Sequence, residues 1–231
     1  MTVELLDAAV GALGQTTEEL VFVGGTTIGL WIDDPAAPPP RITDDVDAIC
    51  DVATLAEYYA LGERLRQRGF AEVMNDPVIC RWRHAATRIT VDVVPIAEDI
   101  LGFGNPWYRD GVAHASTCVL PSGTEVRALS PPFLVASKLS AWEGRGRNDL
   151  LRSVDVGDVL QLVNGRQALH SEIAAAEASL RIYVGSTLAD LSARDDFDYA
   201  LEDATRSYGA ASQRRQALLR DRIAALVAVG A

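Results

Sequence analysis

Lysine is almost absent: of the 21 basic residues in this 231-residue chain, only Lys138 is not an arginine. A composition tilted so far toward arginine and alanine fits a coding bias that replaces lysine wherever arginine serves. A lysine that persists then either survives by chance or marks a position that needs a compact point charge rather than a planar fork. Cysteine is scarce as well. Cys50, Cys80 and Cys118 are odd in number and never spaced C-x-x-C, which excludes a disulfide framework and a thiolate zinc site. They read as small buried hydrophobes. The three histidines, His84, His114 and His170, have no ligand spacing. No apolar run reaches membrane-spanning length, and "MTVELLDAAV" lacks a basic start or cleavage pattern, so a cytoplasmic location without a membrane partner is the expectation. Positive charge is in deficit overall, and the net −11 excludes indiscriminate binding to nucleic acid while leaving room for a local basic face.

With 48% hydrophobic residues, the chain has material for one large core or two small ones. "TVELLDAAVGAL" has the period of an amphipathic helix. "ELVFVGG" is a short buried strand ending in a double glycine, and "TTIGLWI" a short helix after it. "DDPAAPPPR" is an extended proline loop leading to a strand at 46–50. A helix is predicted over 54–69, with Thr54 as its N-cap and Gly69 at its C-terminal end. "VICRWRH" and "RITVDVVP" are strands joined by "HAAT", and "STCVL" and "TEVRAL" form a second hairpin across "PSG". After "SPP" at 130–132 strand signals vanish, and helices are predicted at about 132–144, 153–163, 166–179 and 210–228. The expected organisation is a mixed α/β half, 1–130, followed by an all-helical half, 131–231.

Chemistry concentrates at a few points. Gly24 and Gly25 stand between a strand and a helix start, where backbone can approach a ligand closely and N–H groups can hold an anion; a plain turn uses the same pair. Thr26 adds a hydroxyl at the expected N-cap. "DDVDAI" places Asp45 and Asp47 on one face of the next strand, as metal ligands or as a solvated strand end. Asp92 is the lone acid in the apolar "ITVDVVP". It needs a partner there, either a cation such as Arg81, Arg83 or Arg88 or a metal. Three carboxylates converging on one sheet edge form a two-metal site for phosphoryl transfer. In the helical half, Lys138 and Arg145 share a helix face with Ala141 or Trp142. Asp155 and Asp158 share a face of the following helix, behind Ser153 as its cap. If the two helices are antiparallel neighbours, Lys138 meets Asp155 or Asp158. Those acids in a first turn also stabilise a helix N-terminus.

"FVGGT", "DDVDAI" and "TVDVV", in this order, resemble the DNA polymerase β-like nucleotidyltransferase superfamily, with the proline loop lengthening the gap from Gly25 to Asp45. "FLVASKLSAWEGRGRNDLLRSVDVGDVLQLVNGR", 133–166, is similar to the helical segment of the AbiEii/MenT-like nucleotidyltransferase toxins, and Lys138 falls on that family's lysine. The resemblance covers roughly residues 20–166. It implies an α/β (α+β) fold, with a mixed-sheet nucleotidyltransferase core followed by helices. The implied activity is transfer of NMP from an NTP to an acceptor hydroxyl. Asp45, Asp47 and Asp92 would hold Mg²⁺ (Mn²⁺ also serving), and Gly24, Gly25 and Thr26 would cradle the phosphates. Lys138, Arg41 and Arg145 would add cations, with Asp155 or Asp158 orienting the lysine. A tRNA acceptor end and a cognate antitoxin are the implied partners. The alternatives are a small-molecule (antibiotic-type) nucleotidyltransferase, or a non-catalytic relative acting as a binding module. For tRNA the candidate basic surfaces are the arginines of the C-terminal helices, Arg206, Arg214, Arg215, Arg220 and Arg222, and the cluster Arg64, Arg66 and Arg68.

Overall fold

The strand expected at "ELVFVGG" lies inside a seven-stranded mixed sheet, which explains its lack of alternation: it is buried at all four positions. The computed structural model describes residues 2–73, 78–145, 149–206 and 210–230, with backbone alone at 210 and 211. Two compact units are formed, Met1–Leu30 with Arg41–Ser130 and Trp31–Pro40 with Pro131–Ala231.

The first unit opens with α1 (Thr2–Leu13), a 3-10 turn at Gly14–Glu19 and β1 (Leu20–Val23). A second 3-10 turn, Gly25–Thr27, leads into α2 (Ile28–Trp31). Then follow β2 (Asp45–Cys50), α3 (Leu55–Gln67), β3 (Phe70–Glu72), β4 (Arg81–His84) and β5 (Thr90–Pro95). The unit closes with α4 (Glu98–Leu101), α5 (Tyr108–Ala113), β6 (Ser116–Val119) and β7 (Glu125–Ala128). The sheet order is β3-β4-β5-β2-β1-β7-β6. β2 runs antiparallel to β1 and parallel to β5, and β4 antiparallel to β5.

Local signals act as expected where they are strong. Thr54 and Glu57 form a reciprocal capping box at the start of α3, worth about 1 kcal/mol. Gly69 follows its end with φ +84°. Both hairpins form, the first with Arg88 at φ 63° and the second turning at Gly123. β3, α4 and α5 have no counterpart in the sequence pattern, since three to six residues are too few to show a period. Cys50 and Cys80 are buried, and burial pushes both thiols up to about 12; Cys118 is only partly covered.

The second unit is helical: α6 (Pro131–Gly144), α7 (Val154–Gly165), α8 (Leu169–Ala174), α9 (Ala178–Ser192), α10 (Phe197–Ala204) and α11 (Ala210–Val229). Pro131 and Pro132 occupy the first turn of α6, where the missing N–H groups cost nothing. The helix expected over 166–179 is instead broken. α8 ends at Ala174, Glu177 is extended at ψ 147°, and α9 starts afresh. The alanine-rich joint favours helix locally. Burying Leu169 and Ile173 on one axis and Leu180 and Val184 on another overrides that preference. The proline-rich stretch is fastened to α7, because the N–H groups of Asp33 and Asp34 both donate to the Gly165 carbonyl.

Candidate active site

β1 ends where the backbone must do something only glycine tolerates. Gly24 has φ 81° and ψ −167°, and its carbonyl accepts from both the Thr27 N–H and the Thr27 hydroxyl, at 3.2 and 2.8 Å. The antiparallel register puts Asp47 opposite Val23, one residue before this turn. A Cβ added at Gly24 would lie 1.9 Å from Asp47 Oδ2. The glycine therefore makes room for a carboxylate. Gly25 is less demanding, since its Cβ would press on the end of the Arg41 side chain, 2.8 Å from Nη2, and touch Thr43 Cβ at an ordinary 3.6 Å. Gly24→Ala is expected to cost about 1–3 kcal/mol of stability and to displace Asp47, with Gly25→Ala milder in both thermal denaturation and nucleotide transfer.

Asp47 is also the register partner of Asp92 across the parallel β2–β5 pair, where strands run about 4.8 Å apart. Asp45, two residues back, lies on the same face and accepts from the Thr43 hydroxyl at 3.1 Å. Three acids thus line one face of two adjacent strands, and like charges so placed repel. Arg81 is a compensating cation for two of them. Its Nε and Nη2 hold the two oxygens of Asp92, each at 2.8 Å, and Nη2 also reaches Asp45 Oδ2 at 2.8 Å. The donor set, all carboxylate oxygen, suits a hard divalent cation. Among the described residues, however, no three acidic, imidazole or thiol side chains are gathered into a ligating group as they stand.

In the helical unit, α6 is buried almost all round over Pro131–Leu139, so a charge there must be paired. Lys138, 9% exposed, donates to Asp158 at 2.8 Å and to Asp155 at 3.3 Å, and Arg145 also pairs with Asp155. The lysine meets both acids of α7, and Asp158 is fully enclosed. Ser153 caps α7 by accepting from Val156 N–H, as expected.

A family model for the nucleotidyl transferase AbiEii toxin of type IV toxin–antitoxin systems matches residues 8–222. The chain belongs to the AbiEii nucleotidyltransferase toxin family. It is therefore a nucleotidyltransferase of a system that pairs such a toxin with an antitoxin. Among curated proteins none matches the chain. The family match extends well past the 20–166 span over which motifs are legible, taking in α8 to α10 and part of α11.

In this AbiEii chain several sequence expectations are corrected. Thr26 is not an N-cap but lies inside the 3-10 turn. It is completely buried, and its Oγ1 has no hydrogen-bond partner among the described residues. The bond to the Gly24 carbonyl belongs to Thr27. The candidate arginines for an RNA-facing surface divide. Arg215 and Arg222 are tied down within their unit, whereas Arg64, Arg66, Arg206 and Arg220 pair with acids yet keep 41–78% of the side chain exposed, and Arg214 is exposed. Arg215, its side chain 12% exposed, is clamped between Asp34 and Asn164, and Arg222 donates to the Val163 carbonyl. Arg220 pairs with Asp198 and Arg206 with Asp203. Arg64 pairs with Glu19, Arg66 with Glu63 and Glu72, and Arg68 donates to the Ala12 carbonyl. Reversing Arg215 to Glu would thus break a structural clamp rather than probe a surface. Arg81 matters more than its sequence pattern suggests: the hairpin register, centred between residues 86 and 87, places 81 opposite 92.

Proposed function

We propose that the protein transfers a nucleoside monophosphate from an NTP to a hydroxyl at the 3′ end of tRNA. The observation that carries this reading is the acid row Asp45, Asp47 and Asp92, with Gly24 giving way to Asp47 at the end of β1. Asp45, Asp47 and Asp92 would hold Mg²⁺, or Mn²⁺ in its place. When bound, the metal neutralises triphosphate charge and polarises the α-phosphate. The acceptor oxygen bonds to the α-phosphorus, the bond to the bridging α–β oxygen breaks, and pyrophosphate leaves. Asp92 accepts the hydroxyl proton. Backbone at Gly24, Gly25 and Thr26 cradles the β- and γ-phosphates, with Arg41, whose guanidinium lies beside Gly25, as a neighbouring cation. Within the helical unit Asp155 and Asp158 hold and orient Lys138, the cation this reading makes essential for transfer, and Arg145 joins Asp155.

A second reading, transfer to a small hydroxylated compound, is favoured by one observation: most arginines that would greet an RNA backbone are already paired with acids. The test is direct. Purified protein with Mg²⁺ and labelled CTP, UTP, ATP or GTP is expected to label total tRNA at the 3′ end, with steep loss as salt rises. Labelling of small hydroxylated compounds, with none of tRNA under any NTP, would overturn the tRNA assignment.

A further inference from the structure

The acid row carries its own cation, and that cation competes with the metal the row would hold. Arg81 is placed by strand register, opposite Asp92 in the β4–β5 pair, rather than by a loop. Its fork takes both oxygens of Asp92 and one of Asp45, so it joins acids of two different strands. An exposed bridge from one arginine to two acids also forms at Arg66, with Glu63 and Glu72. The Arg81 bridge engages two of the three carboxylates that face the same way. The arginine and its Asp92 partner are well buried, 20% and 7% exposed at the side chain, so the neutralisation is not left to solvent. A divalent cation bound by the same carboxylates at about 2.1 Å would sit within a few ångströms of the guanidinium they hold at 2.8 Å, and the two positive charges repel.

We infer that Arg81 is a positioning residue, an internal counter-ion that keeps the three acids assembled without metal and must release them as a divalent cation binds. Metal uptake is then an exchange of cations. In the resting protein Arg81 suppresses repulsion among Asp45, Asp47 and Asp92, and it lowers their affinity for metal by the cost of breaking its own bonds. The inference rests on the metal-dependent nucleotidyltransferase reading, and the test separates the two.

Mn²⁺ binding to nucleotide-free protein, followed by electron paramagnetic resonance and calorimetry, provides the readout without catalysis. Arg81→Met keeps the length of the side chain and removes its charge. Arg81→Lys keeps the charge but cannot make the fork. Arg81→Met is expected to melt lower than wild type in chelator, to bind Mn²⁺ about tenfold more tightly, and to gain more in melting temperature from Mn²⁺. Arg81→Lys should fall between. Asp47→Asn in either background should remove the binding, which identifies the site. A purely structural arginine would give weaker or unchanged Mn²⁺ binding on removal. If wild type binds Mn²⁺ through Asp47 and a folded Arg81→Met binds no more tightly, the exchange is wrong and the metal reading stands. If neither protein shows Asp47-dependent binding, both fall. Should Arg81→Met fail to fold, Arg81→Lys decides, and wild-type affinity in that variant overturns the exchange.

Discussion

Asp47→Asn is expected to lower nucleotide transfer at least about a hundredfold while leaving the fold and melting temperature intact. The substitution keeps the shape that Gly24 makes room for and removes one negative charge from the row proposed to hold the metal. Loss of several kcal/mol of metal-dependent charge stabilisation corresponds to about two to three orders of magnitude in rate. The native register places Asp47 beside Asp92, so in chelator the variant should melt unchanged or about 2 °C higher, one like-charge contact having been relieved. Steady-state transfer from a labelled NTP, paired with thermal melts in chelator and in Mg²⁺, checks both halves. Normal turnover of a well-folded Asp47→Asn would sink the metal-site assignment.

Lys138→Ala should abolish most transfer as well, but with a different signature. Its ammonium is held between Asp155 and Asp158, the latter wholly buried. Removing one partner of a buried pair costs about 3–5 kcal/mol, and the melting temperature should fall by about 10 °C. The double change Lys138→Ala with Asp158→Asn removes the stranded charge. Asp155 keeps Arg145, so much of the stability should return without the activity. Lys138→Arg should recover little transfer, because a planar fork cannot stand in for a point charge inside a packed helix face. Restored transfer in the double variant, or full activity in the arginine variant, would reduce Lys138 to a structural counter-ion.

The chemistry-bearing residues are legible because their meaning is local. A double glycine after an apolar run, acids two apart on a strand and acids three apart opening a helix are patterns of spacing. Spacing fixes which side chains share a face. The lone lysine stands out by composition alone. Its meeting with both acids needs only two consecutive helices packed side by side, which α6 and α7 provide. The short elements β3, α4 and α5 and the break between α8 and α9 are not legible, and α9 beyond residue 179 and α10 fall where no helix is predicted. Three to six residues carry no period, and an alanine-rich joint bends only because packing on either side demands it.

The sequence by itself determined the mixed sheet followed by helices, the glycine turn, the acid row and the lysine helix, all set by patterns a few residues long. The tertiary structure alone decided which cation each acid meets. Arg81, Arg83 and Arg88 are equivalent candidates for Asp92 until the hairpin register is known, and a one-residue slip would turn Arg81 to the other face. Asp34 and Arg215 lie 181 residues apart, yet their pairing turns an apparent RNA-facing arginine into a clamp on the proline-rich stretch. Ion pairing depends on distance in space and on burial, and neither is written in the local order of a chain.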